Sequence, residues 1–127
     1  MTQPEAHHPI LIVDDDEDIR DSLAECLELE GFTVATAADG AEGLARLRED
    51  ATPCLVLLDL MMPVLDGYGF LEQQRSDPRV AQVPVLVITA GAIDRGRTGN
   101  VEVMRKPLDL GRLLAVVAGA RGRSGRD

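Results

Sequence analysis

Residues 54–58, Cys-Leu-Val-Leu-Leu, form an uninterrupted apolar run that ends at Asp59 and decides the fold class. A run without alternation of polar and apolar residues is typical of a strand buried on both faces of a parallel sheet. Residues 10–13 and 83–88 form similar runs, the second interrupted by Pro84, and weaker runs lie at residues 33–36 and 101–104. The chain therefore contains five candidate strands.

Helical periodicity fills most of the gaps between these runs. Apolar side chains recur at helical spacing in four groups: Ile19, Leu23, Cys26 and Leu27; Ala41, Leu44, Ala45 and Leu47; Phe70 and Leu71, in a helix over about residues 66–76; and Leu110, Leu113, Leu114 and Val117. Each predicted helix has one apolar and one charged face, so that it can cover a sheet. The alternation of strands and helices predicts an α/β fold, an open parallel sheet with helices on both sides.

One segment breaks the pattern. Residues 90–100, AGAIDRGRTGN, contain three glycines and one large aliphatic residue, Ile93, which predicts a short or irregular turn instead of a full helix. The length allows one domain, which we place at residues 9–118. We expect residues 1–8 to be a disordered leader and residues 119–127, which lack apolar periodicity, to be a flexible tail.

Composition limits the classes of function. The chain has 127 residues, 22 acids, 13 bases and a net charge of −9, with three aromatic residues. Such a chain is a poor candidate for nucleic-acid binding, and no apolar run is long enough to insert into a membrane. Cys26 and Cys54 lie in apolar segments without CxxC spacing, which indicates buried side chains in a reducing compartment. We therefore expect a cytoplasmic protein with protein partners.

The residues at the strand ends predict a site. In an open α/β sheet, function collects beyond the carboxyl ends of the strands. The polar residues at these ends are Asp14, Asp15 and Asp16 on the first strand, Asp59 on the third, Thr89 on the fourth and Lys106 on the fifth. Carboxylates about 4 Å apart repel by roughly 4 kcal/mol at an effective dielectric constant of about 20, so we expect a bound cation. Oxygen ligands suit Mg²⁺, beside which an aspartate can accept a phosphoryl group.

Four stretches of this sequence together resemble one known family. ILIVDDDEDIR, LVLLDLMMPVLDG, VLVITA and MRKPLDL are similar to the receiver (CheY-like) domain of two-component response regulators, over roughly residues 9–118. The combination of an acid pair, a strand-end aspartate followed by Met-Met-Pro and Asp-Gly, and a downstream Lys-Pro is much more specific than any one motif. The resemblance implies a flavodoxin-like (βα)5 fold with strand order 2-1-3-4-5.

The resemblance also implies a role for each strand-end residue. Asp59 would accept a phosphoryl group from a sensor histidine kinase or a phosphotransfer protein. Mg²⁺ would be held by Asp14, Asp15, Asp59 and the Met61 backbone carbonyl, with Asp15 as a direct ligand and Asp14 acting through water. Thr89 would hydrogen-bond the phosphoryl group, Lys106 would pair with one of its oxygens, and Ala90 would belong to the residues that bind the group. Pro107 would follow a cis peptide bond.

Simpler interpretations remain open for some of these residues. An aspartate run before a helix usually caps that helix, and we favour this reading for Asp16 and Asp18. A shift of one residue would make Asp15 and Asp16 the acidic pair instead of Asp14 and Asp15. Asp66-Gly67 is interpreted mainly as turn and helix-start chemistry.

Two features depart from the family pattern. Val103 occupies the position of the family's rotating switch aromatic, and the helix between the fourth and fifth strands is shortened. The phosphorylation chemistry is therefore predicted to be intact, whereas its readout would differ. Met61 and Gly91 stand at positions that tune the phosphoryl lifetime in the family. Neither offers a side chain to orient an attacking water, so we predict slow self-dephosphorylation.

Several function classes compete. The leading hypothesis is a stand-alone phosphoacceptor switch with an unknown downstream partner, which catalyses only its own phosphorylation and dephosphorylation. The alternative is a receiver-like interaction module that works without phosphorylation. A phosphatase of the haloacid-dehalogenase type needs a second acid at the position of Met61, and a flavodoxin-like cofactor binder needs a phosphate-binding loop where this chain has DDDED.

Overall fold

Strands and helices alternate along the whole domain. The computed structural model describes residues 8–49 and 52–124. The strands are β1 Ile10–Val13, β2 Val34–Ala37, β3 Leu55–Asp59, β4 Val85–Thr89 and β5 Glu102–Arg105, and the helices are α1 Glu17–Leu29, α2 Gly40–Leu47, α3 Gly67–Arg75, α4 Arg95–Thr98 and α5 Leu110–Ser124. All pairings are parallel and the strand order is β2-β1-β3-β4-β5. The predicted flavodoxin-like fold and strand order are therefore confirmed.

The two faces of the sheet bury separate apolar cores. On β1, Ile10 and Ile12 point to one core and Leu11 and Val13 to the other, as the period of two in a strand requires. One core includes side chains of α1 and α5, and the other includes side chains of α2 and α3. β1 and β3 are buried along their full lengths, which explains why their sequences lack polar alternation.

Aspartates start four of the helices. Asp16, Asp39, Asp66 and Asp94 are the N-caps of α1 to α4, and each side chain accepts a hydrogen bond from a backbone N–H of the first turn. Each cap satisfies N–H groups that would otherwise lack partners at the helix end. The interpretation of Asp16 as a cap is confirmed. Several of the chain's many acids therefore have a structural role.

The chain ends differ from the sequence-based expectation. α5 continues to Ser124, whereas we predicted a flexible tail from residue 119. The reason is that Ala120 is buried and extends the stripe of Leu113 and Val117 at helical spacing, so a small side chain supplies the missing core contact. His8, placed in the predicted leader, lies with its ring Nδ1 3.0 Å from the Thr52 carbonyl oxygen. Residues 1–7 and 125–127 lie outside the described residues.

The remaining boundaries agree closely with the prediction. β2 begins one residue later than expected, at Val34, and α4 has only four residues, as the glycine-rich segment predicted. No helix within the described ranges is both long enough and apolar enough to cross a membrane.

Candidate functional site

Three carboxylates converge at the carboxyl edge of the sheet. Asp14 follows β1 and Asp59 ends β3, and these strands are neighbours. Oxygen atoms of Asp14, Asp15 and Asp59 all lie within 4.8 Å of one another. Asp14 and Asp59 are buried, at 4% and 8% exposure, whereas Asp15 is exposed to solvent. The sheet therefore brings together the acids that the sequence placed at its strand ends.

The backbone after β1 orients this acidic pair. Asp16 caps α1 and points its carboxylate at the backbone N–H groups of Asp18 and Ile19, so it is not part of the cluster. Its own N–H donates to Asp14 Oδ1 over 2.9 Å. The Arg20 guanidinium donates to the Asp14 carbonyl oxygen over 2.8 Å. The alternative pair of Asp15 and Asp16 is not the arrangement found in the structure.

Lys106 follows the edge strand β5, and its side chain reaches the cluster. Its Nζ lies 3.6 Å from Asp14 Oδ2 and 3.9 Å from Asp59 Oδ2, and its side chain is 24% exposed. The Lys106 backbone N–H donates to the Thr89 carbonyl over 3.0 Å, which ties the end of β5 to the end of β4. The peptide bond between Lys106 and Pro107 is cis, as the resemblance implied. The single lysine of the chain thus bridges two buried carboxylates.

The electrostatic surroundings of Asp59 favour its protonated form. Burial raises the pKa of the Asp59 carboxyl above its ordinary value, and the neighbouring charges of Asp14 and, more weakly, Asp15 raise it further. The backbone N–H of Met61, 3.3 Å from Asp59 Oδ1, and the ammonium of Lys106 lower this pKa but do not cancel the rise. An ionised Asp59 is therefore costly in this site until a cation or another bonding partner compensates it.

The remaining predicted residues lie around the same edge. Thr89 is 2% exposed, and its Oγ1 accepts a hydrogen bond from the Gly91 N–H over 3.3 Å. Ala90 follows it and is exposed. Met61 is also exposed, with 70% of its surface accessible, and its predicted role belongs to its backbone carbonyl. A side chain at Gly91 would have open space around it, with no atom within 4 Å of a Cβ.

The loop from β3 to α3 packs tightly against the end of β3. A Cβ at Gly67 would lie 2.5 Å from the Asp59 backbone oxygen, so only glycine allows α3 to begin this close to the end of β3. Val64, in the same loop, has φ of 69°, and the Leu65 N–H bonds the Pro63 carbonyl across it over 2.8 Å. A β-branched residue at positive φ is strained. The strain and the close contact both lie within a few residues of Asp59.

The chemistry of the cluster fits a hard divalent cation. All of its side-chain donors are carboxylate oxygens, which are the ligands that Mg²⁺ prefers, and one of them is open to solvent. Sequence reasoning missed two contributors to this edge: Arg20, which bonds the Asp14 carbonyl, and Arg105, which bonds the Gly91 carbonyl. Both act through long side chains on backbone oxygens, and no periodicity or motif announces such bonds.

Comparison with known proteins identifies the family. The model of the response regulator receiver domain matches residues 10–118. The DNA-binding dual master transcriptional regulator RpaA of Synechocystis sp. is 38% identical over 122 residues, which cover 92% of this chain and 50% of that protein. The CpxR homolog of Haemophilus influenzae, a transcriptional regulatory protein, is 39% identical over 91% of this chain and 51% of its own length. The chain thus spans about half the length of the curated relatives it matches.

Solved structures agree with this match. The signal receiver domain of a signal transduction histidine kinase from Syntrophus aciditrophicus has a TM-score of 0.83 and 25% identity, with 94% of each chain covered. The chemotaxis protein CheY4 of Vibrio cholerae has a TM-score of 0.78 and 28% identity, over 89% of this chain and 98% of that one. By its sequence match, its topology and its strand-end residues, the chain belongs to the response regulator receiver domain family.

Proposed function

We propose that this receiver domain is a phosphoacceptor switch, in which Asp59 accepts a phosphoryl group from a sensor histidine kinase or a phosphotransfer protein. The observation that carries the proposal is the surroundings of Asp59. Its buried carboxylate lies at a strand end within a cluster of acids, and an ammonium group lies 3.9 Å away. A structural aspartate gains nothing from two neighbouring carboxylates, whereas a phosphoacceptor needs the cation that such a cluster attracts.

The residues of this chain supply the other parts of the transfer. One Asp59 oxygen attacks the phosphorus atom, the bond from phosphorus to the donor oxygen or nitrogen breaks, and the electron pair leaves with the donor. Lys106 pairs with an oxygen of the transferred group, because its Nζ already lies between Asp14 and Asp59. The Thr89 hydroxyl hydrogen-bonds a second oxygen, and Ala90 contributes to the same binding region. The fixed groups at the sheet edge thus stabilise charge where it develops.

Mg²⁺ completes this site in our proposal. Asp14, Asp15, Asp59 and the Met61 backbone carbonyl would hold the ion, since these are oxygen donors on adjoining chain segments. When bound, the ion neutralises negative charge on the carboxylates and on the phosphoryl oxygens. Without it, the Lys106 ammonium carries this task alone.

Incubation with acetyl phosphate and Mg²⁺, followed by measurement of the intact mass, tests the proposal. We expect one phosphoryl adduct on the wild type and none on Asp59→Asn. Asp39→Asn is the matched control, because Asp39 caps α2, does not belong to the acidic cluster, and asparagine caps a helix equally well. Loss of the adduct in both variants, or its presence in Asp59→Asn, contradicts the assignment of Asp59.

One observation favours a second candidate function. Val103, at the position of the family's switch aromatic, is half-buried and pairs with Val87, and it has no polar group to engage the site. A receiver domain that signals without phosphorylation would tolerate a valine at this position. The absence of any adduct with acetyl phosphate would favour such an interaction module.

The finer expectations stay predictions. They are slow self-dephosphorylation, a cytoplasmic location and a downstream partner that is not a nucleic acid. RpaA, one of the relatives, is named as a DNA-binding protein, and the chain spans about half of it. A filter-binding assay with the phosphorylated chain and double-stranded DNA tests the last expectation directly.

A further inference from the structure

Hydrogen bonds and the half-buried side chain of Ile93, which packs against the core, hold the segment between β4 and α4. The Gly91 N–H donates to Thr89 Oγ1, and the Gly91 carbonyl accepts a hydrogen bond from Nη1 of Arg105. A Cβ at Gly91 would meet no atom within 4 Å, so packing adds little to the placement of this residue. Further along, the Asp94 N–H donates to the Tyr68 hydroxyl over 2.9 Å. Gly91 therefore has two polar partners, one at its N–H and one at its carbonyl.

Arg105 and Thr89 are opposite each other in the sheet. They are register partners at the ends of β5 and β4, and both bond Gly91, Thr89 through the N–H and Arg105 through the carbonyl. Arg105 is exposed, and within the described ranges its guanidinium forms no ion pair. The hydrogen bond from Arg105 therefore connects the exposed end of β5 to Gly91, which the Thr89 hydroxyl also binds.

We propose that Arg105 is the positioning residue through which β5 holds the Thr89–Gly91 segment in its resting arrangement, and that phosphorylation of Asp59 breaks this hold. The inference rests on the proposed function. Val103 cannot provide such a link, because its side chain has no hydrogen-bonding group and packs into the core. The coupling between the site and the surface of β5 then passes through an arginine.

The direction of the effect follows from linkage. When the Thr89 hydroxyl turns to the phosphoryl group, the Gly91 N–H loses its acceptor and the segment shifts. The Arg105 bond exists in the resting arrangement, so it opposes this shift. Removing an interaction that stabilises only one state moves the equilibrium toward the other state. One net hydrogen bond at an exposed site corresponds to about a fivefold change.

Titration with beryllofluoride at saturating Mg²⁺ measures this equilibrium. The readout is the backbone amide resonance of Gly91 in an isotope-labelled sample. Arg105→Ala is expected to lower the half-saturating concentration about fivefold. Arg105→Lys should lie between the wild type and Arg105→Ala, since an ammonium can donate one bond to the same carbonyl. An unchanged or raised half-saturating concentration in Arg105→Ala overturns the proposal.

Arg95→Ala is the matched control. Arg95 is also exposed and also donates to backbone carbonyls, those of Gly99 and Val101, but it does not contact Gly91. Its half-saturating concentration should stay within about twofold of the wild type. A shift equal to that of Arg105→Ala would mean that any exposed arginine of this face has the same effect, which overturns the specific role of Arg105.

A second background tests the route through Thr89. In Thr89→Ala, the Gly91 N–H already lacks its hydroxyl acceptor, so adding Arg105→Ala should change the half-saturating concentration by less than about twofold. A full fivefold effect in this background would overturn the route. If the wild type neither saturates with beryllofluoride nor forms the acetyl phosphate adduct, the proposed function fails and this inference fails with it. If the wild type does both and Arg105→Ala matches it, only this inference fails.

Discussion

Replacing Asp59 with asparagine is expected to stabilise the metal-free protein, although it removes the proposed phosphoacceptor. Oxygens of Asp14 and Asp59 lie within 4.8 Å, which at an effective dielectric constant of about 20 gives a repulsion of at least about 3.5 kcal/mol. The attraction of Lys106, 3.9 Å away, is similar in size, about 4 kcal/mol, but this side chain is 24% exposed and solvent screens it. The two terms largely cancel, and the burial of the Asp59 carboxylate is left as the net cost.

The raised pKa of Asp59 gives the direction of that cost. We expect Asp59→Asn to raise the free energy of unfolding by about 1 kcal/mol, the usual size of a single-residue effect, and the Tm by about 4 °C. Thermal melts followed by circular dichroism, at pH 7.5 in low salt with a chelator, measure this. Asp15→Asn should also stabilise, but less, because Asp15 is exposed. A lower Tm for Asp59→Asn than for the wild type in the chelator would refute the electrostatic reasoning.

Two further conditions sharpen this test. The folded-state pKa of Asp59 lies above the ordinary value of 3.8, so ionisation of Asp59 destabilises the folded protein at higher pH, and this loss disappears as the pH falls through the folded-state pKa. The stability difference between variant and wild type should therefore shrink toward pH 4. Mg²⁺ at ten times its Kd should stabilise the wild type by about 1.4 kcal/mol and Asp59→Asn by less. The difference between the two melting temperatures should therefore shrink or change sign.

Four other substitutions test the local structure. Gly67→Ala should lower the free energy of unfolding, measured in urea, by about 2–3 kcal/mol, because its Cβ would lie 2.5 Å from a backbone oxygen at the end of β3. Gly91→Ala should change this free energy by less than about 0.5 kcal/mol, because its Cβ would meet no atom within 4 Å. Asp77→Asn should destabilise the protein at pH 7, because the backbone N–H and then the side chain of Arg79 lower the pKa of Asp77. The lowered pKa means that this stabilisation is present above pH 3.8 and is lost as the pH falls, so the melting temperatures of the two proteins should converge in acid. Val64→Gly should raise the Tm, since the strain of a β-branched residue at φ of 69°, about 1–3 kcal/mol, exceeds the entropy cost of glycine, about 0.5–1 kcal/mol. An unchanged or lower Tm would mean that the turn is not strained.

The sheet and its acidic edge could be predicted because both follow from position along the chain. β1 and β3 are buried on both faces, so their apolar runs are unbroken, and parallel strands bring their carboxyl ends to one edge. Once the strand ends were assigned, Asp14, Asp59 and Lys106 had to lie near one another. The structure then added the distances, the burial and the direction of the pKa shift of Asp59, none of which a one-dimensional pattern contains.

The features that the sequence did not predict have a common physical origin. α5 continues past residue 119 because Ala120 is buried, although this small side chain among glycines and arginines does not register as part of an apolar stripe. The bonds of Arg20 and Arg105 were not predicted, because an arginine reaches backbone carbonyls several residues away or in the loop after another strand, and its partner depends on the path of that loop. Such contacts depend on three-dimensional proximity, which periodicity does not encode.

The site and its connection to the surface rest on different parts of the fold. Asp14, Asp59, Thr89 and Lys106 are carried by strand ends that the sheet itself fixes, so a four-residue α4 leaves their arrangement unchanged. The segment that joins β4 to α4 lies outside the sheet, and hydrogen bonds from neighbouring elements and the packing of Ile93 hold it. On our proposals, the strand ends keep the geometry for phosphoryl transfer, and Arg105 provides the link between β5 and the segment after Thr89 that Val103 cannot provide. In such a protein, substitutions at the strand ends should abolish phosphorylation, whereas substitutions in the segment after β4 should change how strongly phosphorylation shifts the structure.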